Sequence, residues 1–435
     1  MTGVRDMPER GPNNETPAAG LDTVESTIGS SEEASVKFVG WEWASTSHDV
    51  TVLDDQGRVL ERWALRHTEQ ALAEALARRA RHGQPAEVPV IIERSAGLVV
   101  DRLVAAGHPV VPVHPTAFHA ARPRWGAAGA KSDPGDSHKL ADSLRTDGHR
   151  LRRLQPLDPG LRELQALVRL GEDHVRARTA ASMKLGALLD AHWPGPKAMF
   201  SQAGQRHRPR LPDRLSTPQA AARLGPARLA ACCRRHADRG GKPPAELLAR
   251  LRTAPVPPSG LAPAVLAQLV TAQVQLLRSL QATIGELEAA IKQRVAQHPR
   301  AKLLRGLPGV GTINLAQLLA EVGPILDRVS TAEQAAAESG AAPVTRASGK
   351  TSGVYFRWAA NPRARTALTA FAHNARLQSP WAGRLYADAR ARGKRNPHAT
   401  RIVARACLRV SWACWHTNTP YNPRAHLAEQ RLAAA

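Results

Sequence analysis

Apolar and polar positions follow different rhythms in successive stretches of this chain. Residues 1–34 are rich in Gly, Pro, Glu and Ser and show no periodicity, which predicts a disordered tail. From Val36 the rhythm is that of strands. VKFVGWEWA and HDVTVLDD alternate, and GRVLERWAL follows a turn at Asp55-Gln56-Gly57. A helical stretch, TEQALAEALARRARHG, comes next, with Gly83 as its stop. Then follow an apolar strand VPVIIE, a helix over GLVVDRLVAAG, a short strand PVVPV, and a helix beginning near Asp133. Strands alternating with helices predict an α/β sheet domain. Three consecutive strands followed by βα units also fit an RNase H-like mixed sheet.

Beyond Pro159 the period lengthens to that of helices. LRELQALVRLGEDHVRARTAASMKLGALLDAHW and a second stretch from about Ala262 to Gln297 place Leu and Val at three- and four-residue spacing. They predict either an antiparallel hairpin within the chain or a coiled-coil dimerisation arm. Between them, Pro194 to Pro258 is basic, Pro-rich and weakly patterned. The remainder is helical, opening with LLRGLPGVGTINLAQLLAEVG and closing in a long helix over HATRIVARACLRVSWACWH. The expected division is a tail (1–34), a carboxylate-bearing α/β domain (35–155), a helical arm with its insertion (156–298), a mainly helical C-terminal domain (299–422) and a second tail (423–435).

Composition narrows the function. At 43% hydrophobic residues the chain has enough apolar material for packed cores. A net charge of +23 and a pI near 11.1 give it a field that attracts polyanions. Nucleic-acid binding is the expectation, with a merely basic or ribosome-associated protein as the alternative. The four cysteines, Cys232, Cys233, Cys407 and Cys414, form no CxxC pair and read as reduced thiols of a cytosolic protein. No apolar run approaches the ~20 residues that span a bilayer, and the N-terminus lacks the apolar core of a secretory leader.

Three constellations carry candidate chemistry. The first is acidic: Glu42 in the first strand, Glu93 ending VPVIIE, and Asp133 and Asp136 at the start of a helix in KSDPGDSHKLAD. Carboxylates so placed can converge on one sheet edge and suit two Mg²⁺ ions, which take hard oxygen ligands. Each also has a plainer reading. Asp133 can be a helix N-cap, Asp136 a dipole partner, and Glu93 the partner of a basic neighbour. Glu42, between Trp41 and Trp43, needs a partner whatever its role. The second constellation is LPGVG (Leu307–Gly311), where Gly309 and Gly311 can let backbone N–H groups approach a phosphate, as in a helix-hairpin-helix turn, or can simply serve helix packing. The third is a basic stretch with a serine-rich loop, in which Ser348 and Ser352 each precede a glycine. From Arg346 to Arg409 there are fourteen Lys or Arg and a single acid, Asp388. Ser348 sits between Arg346 and Lys350, which can meet the charge of a phosphoryl transfer state. A Ser-Gly pair is also an ordinary turn. Arg357, Arg363 and Arg365 lie in the same stretch as candidate nucleic-acid contacts.

Taken together, order and spacing resemble the DEDD transposases of bacterial insertion sequences, also described as bridge-RNA-guided recombinases. The match runs through VGWE, ERSAG, KSDPGDSHKLA, LPGVG, GAAPVTRASG and NPRARTAL, and covers roughly Lys37 to Tyr421. The resemblance implies a RuvC-like (RNase H-fold) domain with Glu42, Glu93, Asp133 and Asp136 as Mg²⁺ ligands. It implies Ser348 as a nucleophile forming a transient phosphoserine link to DNA. It further implies a homo-oligomer (dimer or tetramer) with an active site composed of one subunit's carboxylates and another's serine, and a structured guide RNA specifying donor and target DNA. A nucleoid-associated, cytoplasmic bacterial protein with no membrane partner is the matching expectation. One departure stands out: Glu42 occupies a position that is usually Asp. Two rival readings follow, a junction-resolving or RNase H-like nuclease without strand transfer, and a degenerate nucleic-acid-binding relic.

Overall fold

The computed structural model describes residues 36–126, 132–199, 217–235, 243–256 and 260–424. The expected N-terminal tail, most of the C-terminal tail and parts of the Pro-rich insertion lie outside these residues. The chain forms two compact units, 1–156 and 157–435.

The first unit is built on five strands: β1 (Phe38–Trp43), β2 (Ser47–Leu53), β3 (Val59–Arg66), β4 (Val90–Ile92) and β5 (Val110–Pro112). Their order is β3-β2-β1-β4-β5. The first three form an antiparallel meander, while β4 joins β1 in parallel and β5 joins β4 in parallel. The turn at Asp55–Gly57 forms as expected, with Gly57 at φ +84°. Helices α1 (Glu69–Arg79) and α2 (Leu98–Ala105) cover one face, and α3 (Pro115–Ala121) and α4 (Asp133–Asp147) lie in the sequence that closes the other. Alternation along the strands supplies both cores. Val39, Trp41, Val50, Val52, Trp63 and Leu65 pack with Leu72, Ala75, Val99, Val100 and Leu103. Ile91 and Val111 pack with Phe118, Leu140 and Leu144.

β4 is shorter than VPVIIE suggests. It stops at Ile92, so Glu93 follows the strand rather than ending it. The helix near Asp133 forms, but its cap is Ser132, whose hydroxyl accepts from the Gly135 amide, and Asp133 is the first helical residue. The N-cap reading of Asp133 is thereby replaced.

In the second unit, α5 (Pro159–His192) pairs with α10 (Pro263–Gln297). Contacts of Glu163 with Arg294 (2.8 Å), Gly171 with Ile291, and Arg178 with Gln281 (2.9 Å) run in opposite chain directions. The pair is therefore an antiparallel hairpin within one chain. Its far half packs against α6 (Gly195–Met199), α7 (Pro218–Ala222), α8 (Pro226–Arg235) and α9 (Pro244–Arg252), through Leu185, Leu189, Trp193, Leu224, Leu229, Leu247 and Leu251 among others. The near half joins the core of the C-terminal helices: α11 (Ala301–Leu304), α12 (Thr312–Gln317), α13 (Gly323–Arg328), α14 (Ala332–Glu338), α15 (Pro362–Gln378), α16 (Pro380–Ala391) and α17 (Asn396–His416).

The expected single helix after LPGVG is interrupted by a π-helical turn at Leu318–Val322. There the buried Glu321 carboxylate accepts from Arg169 of α5 at 2.6 and 3.1 Å, and Gln165 donates to the Ala320 carbonyl at 2.9 Å. Pairing satisfies a charge that is otherwise costly to bury, and it ties α5 to this bundle. Cys407 and Cys414 are buried free thiols. Among the described residues no helix is long and apolar enough to cross a membrane.

Candidate active site

The acidic constellation is assembled by a close approach of α4 to β1. A Cβ at Gly40 would lie 1.9 Å from the Ser137 carbonyl oxygen, so only glycine lets the helix backbone sit on the strand here. Beside it the buried hydroxyls of Thr51 and Ser137 share a hydrogen bond of 2.7 Å. Gly40 pairs with Thr51 and Glu42 pairs with Asp49, so all four residues face α4. Asp133 lies one turn before Ser137, towards the Glu42–Asp49 rung. Trp41 pairs with Ile92 in the parallel ladder, so Glu93 follows at the level of Glu42. Glu42 and Glu93 are thus level with each other at the C-terminal end of the parallel strands, with Asp133 towards them and Asp136 one turn along α4 from Asp133.

Their states differ. Asp136 is fully buried and accepts from Arg122 at 2.6 Å and from Lys139 at 3.4 Å. Asp133 is exposed. Asp49, which sequence reasoning missed, has its carboxyl raised above the ordinary aspartate range, chiefly by burial and then by the charge of Asp133, with Arg62 opposing. Arg62 donates to Thr51 at 3.3 Å and is a second residue missed, a cation on the carboxylate face of the sheet. The strand alternation in HDVTV was the available signal for Asp49; nothing in the sequence pointed to Arg62 or to Arg122.

The donor set is wholly carboxylate oxygen and fits a divalent ion, which would relieve the repulsion between Asp49 and Asp133. As the side chains stand, no three Asp, Glu, His or Cys groups among the described residues are gathered closely enough to hold one. The Arg122 and Lys139 cations occupy the carboxylate of Asp136 instead.

In the second unit the serine-rich segment, expected as a loop, is a β-hairpin of β6 (Val344–Ser348) and β7 (Thr351–Tyr355). Alternating side chains around a two-residue turn specify it. Gly349 takes φ +53° while Lys350 does not go positive, the type II′ pattern that matches strand twist. Ser348 pairs with Thr351 at the tip and is exposed. The register also separates the two serines that the sequence leaves ambiguous. Arg346 and Ser348 share one face of the hairpin, whereas Ser352, opposite Ala347, lies on the other. Arg346 rests over the Tyr355 ring at 5.4 Å, and Lys350 is exposed in the turn.

The remaining predicted contacts divide by what already holds them. Arg357 donates to the Pro343 carbonyl at 3.1 Å and braces the base of the hairpin. Arg363 is engaged by Glu172 and Asp173 of α5 at 2.8 and 3.1 Å. Arg365 donates to the Arg357 carbonyl at 2.6 Å and stacks on Phe356. The two glycines of LPGVG also differ. Gly309, at φ +78°, abuts the backbone of Asn374 and Ala375, so helix packing accounts for it. Gly311 caps α12, and a Cβ there would meet open space.

Comparison with known proteins bears on both units. Residues 39–194 match a transposase family model of the IS110 DEDD type, and residues 301–387 match the "Transposase IS116/IS110/IS902 family" model. The "Mini-circle putative transposase for IS117" of Streptomyces coelicolor is 32% identical over 93% of this chain and 98% of its own. The IS900 "uncharacterized 42 kDa protein" of Mycobacterium paratuberculosis is 28% identical over 89% of this chain and 97% of its own. A second Streptomyces coelicolor protein, from insertion element IS110, is 28% identical over 68% of this chain and 73% of its own.

Proposed function

The chain belongs to the IS110 family of insertion-sequence transposases and is a DNA recombinase, and from that premise we propose that it cuts DNA with Ser348 and rejoins it with the help of the Glu42, Glu93, Asp133 and Asp136 carboxylates. The single observation that carries this reading is the hairpin: it holds Ser348 at an exposed tip, on the Arg346 face and next to Lys350. In the cutting step the serine oxygen bonds to phosphorus, the hydroxyl proton passes to a base, and the deoxyribose oxygen leaves. A free deoxyribose hydroxyl then attacks the phosphoserine and releases the serine, so no external energy source is required. Arg346 and Lys350 offset the negative charge that builds on the phosphoryl oxygens.

The strand order and directions of the sheet support an RNase H-like first unit. Glu42, Glu93, Asp133 and Asp136 would hold the divalent ion, Mg²⁺ by the hardness of the ligands, with Arg122 and Lys139 yielding Asp136. When bound, such an ion neutralises phosphate oxygens at the reacting centre. Asp49 and Arg62 border the same site. Following the family resemblance, the reading includes a homo-oligomer in which one subunit's serine meets another's carboxylates, and a guide RNA that selects the DNA.

The test is a DNA substrate from the element's own end, nicked near the cut so that the leaving strand diffuses away. Wild type should trap a denaturation-resistant protein–DNA adduct that peptide mapping places on Ser348. Ser348→Ala should form none and still bind DNA, while Ser352→Ala should form it. An adduct on Ser352, strand transfer by Ser348→Ala, or linear products without any adduct would overturn the assignment.

A further inference from the structure

At the base of the Ser348 hairpin the chain leaves a large aromatic side chain in water. Trp358 follows β7, whose Val354 and Tyr355 are also exposed, and is itself 80% exposed. Its ring is anchored on Phe356, edge to face, with centroids 4.8 Å apart and planes at 78°. Phe356 in turn carries two guanidinium groups, Arg365 of α15 at 4.5 Å and Arg401 of α17 at 4.8 Å from the ring centre. Two like charges share one ring, and among the described residues no carboxylate pairs with either.

The contrast with their neighbours is informative. Arg363 is engaged by Glu172 and Asp173, and Arg405 and Arg409 by Glu333. The fold neutralises those arginines internally, and among the described residues no carboxylate does the same for Arg365 or Arg401.

Arg365 is also held in place. It packs against Gly340, where a Cβ would lie 2.4 Å from Nε, and it donates to the Arg357 carbonyl. Burial pulls its pKa down, and burial together with Arg365 pulls down that of Arg401. An anion between them would relieve this repulsion, and a flat apolar group would cover the indole. One ligand offers both within a few ångströms: a nucleotide whose base is unpaired, since a base inside a duplex has no free face to stack.

We propose that Trp358, Arg365 and Arg401 form a single-nucleotide subsite, in which the guanidinium pair takes a backbone phosphate and the indole stacks on an adjoining unpaired base of the DNA strand handled by the hairpin. The strand's identity rests on the role proposed for Ser348; the binding itself does not. The hairpin runs four residue steps from the Ser348–Thr351 tip to the Val344–Tyr355 base, which is about 14 Å at strand rise. The subsite therefore meets the strand about four stacked nucleotides from the cut. It would keep that segment unpaired while its phosphate is presented at the tip.

The experiment uses the full-length protein and fluorescence anisotropy with labelled oligothymidylate, the corresponding duplex and oligouridylate. Base-on-aromatic stacking of the usual strength predicts that Trp358→Ala weakens oligothymidylate binding about 5- to 150-fold, that Trp358→Phe restores most of it, and that duplex affinity does not change. Arg401→Gln should lower the slope of log affinity against log salt by about 0.7, the value for one single-strand phosphate. Ser348→Ala should bind oligothymidylate as wild type does, so failure of the serine assignment shows in the adduct assay and not here. Unchanged oligothymidylate binding by Trp358→Ala would overturn the proposal. So would a loss confined to oligouridylate or shared equally by the duplex, or a change in oligomeric mass alone, which would mark the patch as a contact between copies of the chain.

Discussion

Gly40→Ala tests how the carboxylate site is assembled without touching any carboxylate. The added Cβ would meet the Ser137 carbonyl at 1.9 Å and the Ala141 amide nitrogen at 2.5 Å, where ordinary contact begins at 3.4 Å. In a close-packed interior this obliges α4 to rise from β1 by about 1.5 Å. The obstacle is backbone, so no rotamer change relieves it. Overpacking of this kind costs roughly 1–3 kcal/mol, a fall in melting temperature of about 4–12 °C for a unit of this size. Raising α4 also carries Asp133 and Asp136 away from Glu42 and Glu93, and a displacement near 1 Å is worth about 100-fold in rate. Thermal unfolding and a strand-transfer assay should therefore both report the change. Ala141→Gly is the control. It removes a methyl group 3.1 Å from the added Cβ but leaves the carbonyl in place, so the double variant should not recover. Wild-type melting and transfer by Gly40→Ala, or full recovery in the double variant, would refute the packing argument.

Two further outcomes are expected. Asp133→Asn and Glu42→Gln should each abolish cleavage with DNA binding retained, while Glu42→Asp stays active; cleavage by either amide variant, or by wild type in EDTA, would remove those acids from the metal site. Asp49→Asn should change the pH dependence of stability in metal-free protein. Because the folded-state pKa of Asp49 is raised, the native state binds the extra proton, and stability declines as pH rises from the ordinary aspartate range through the raised value. That decline should shrink in the variant, and identical melting-versus-pH curves would contradict it.

Much of the first unit was legible because strand alternation and helix periodicity are local properties. The meander, the βα units, the Asp55–Gly57 turn and the helix at Asp133 all follow from them. Register is not local. HDVTV shows that Asp49 and Thr51 share a face, but only the pairing of β1 with β2 puts Asp49 opposite Glu42. Only the tertiary approach of α4 makes Asp49 sense Asp133. The hairpin was missed for a different reason: polarity and a density of Ser and Gly read as loop, although Gly349-Lys350 between two alternating stretches is a hairpin turn signal.

Charge was the least transferable property. The sequence presents the arginines from Arg346 to Arg409 as equivalent members of a basic field. The fold sorts them, through acids distant in the chain, into internally paired residues, Arg363, Arg405 and Arg409, and others that no carboxylate among the described residues pairs, of which Arg365 and Arg401 share the Phe356 ring. Net charge therefore identifies the kind of partner, while the location of the contact is decided by which cations the fold leaves unneutralised. By that criterion a phosphate is expected at Arg365 and Arg401 rather than at Arg363, although all three lie in the one basic stretch.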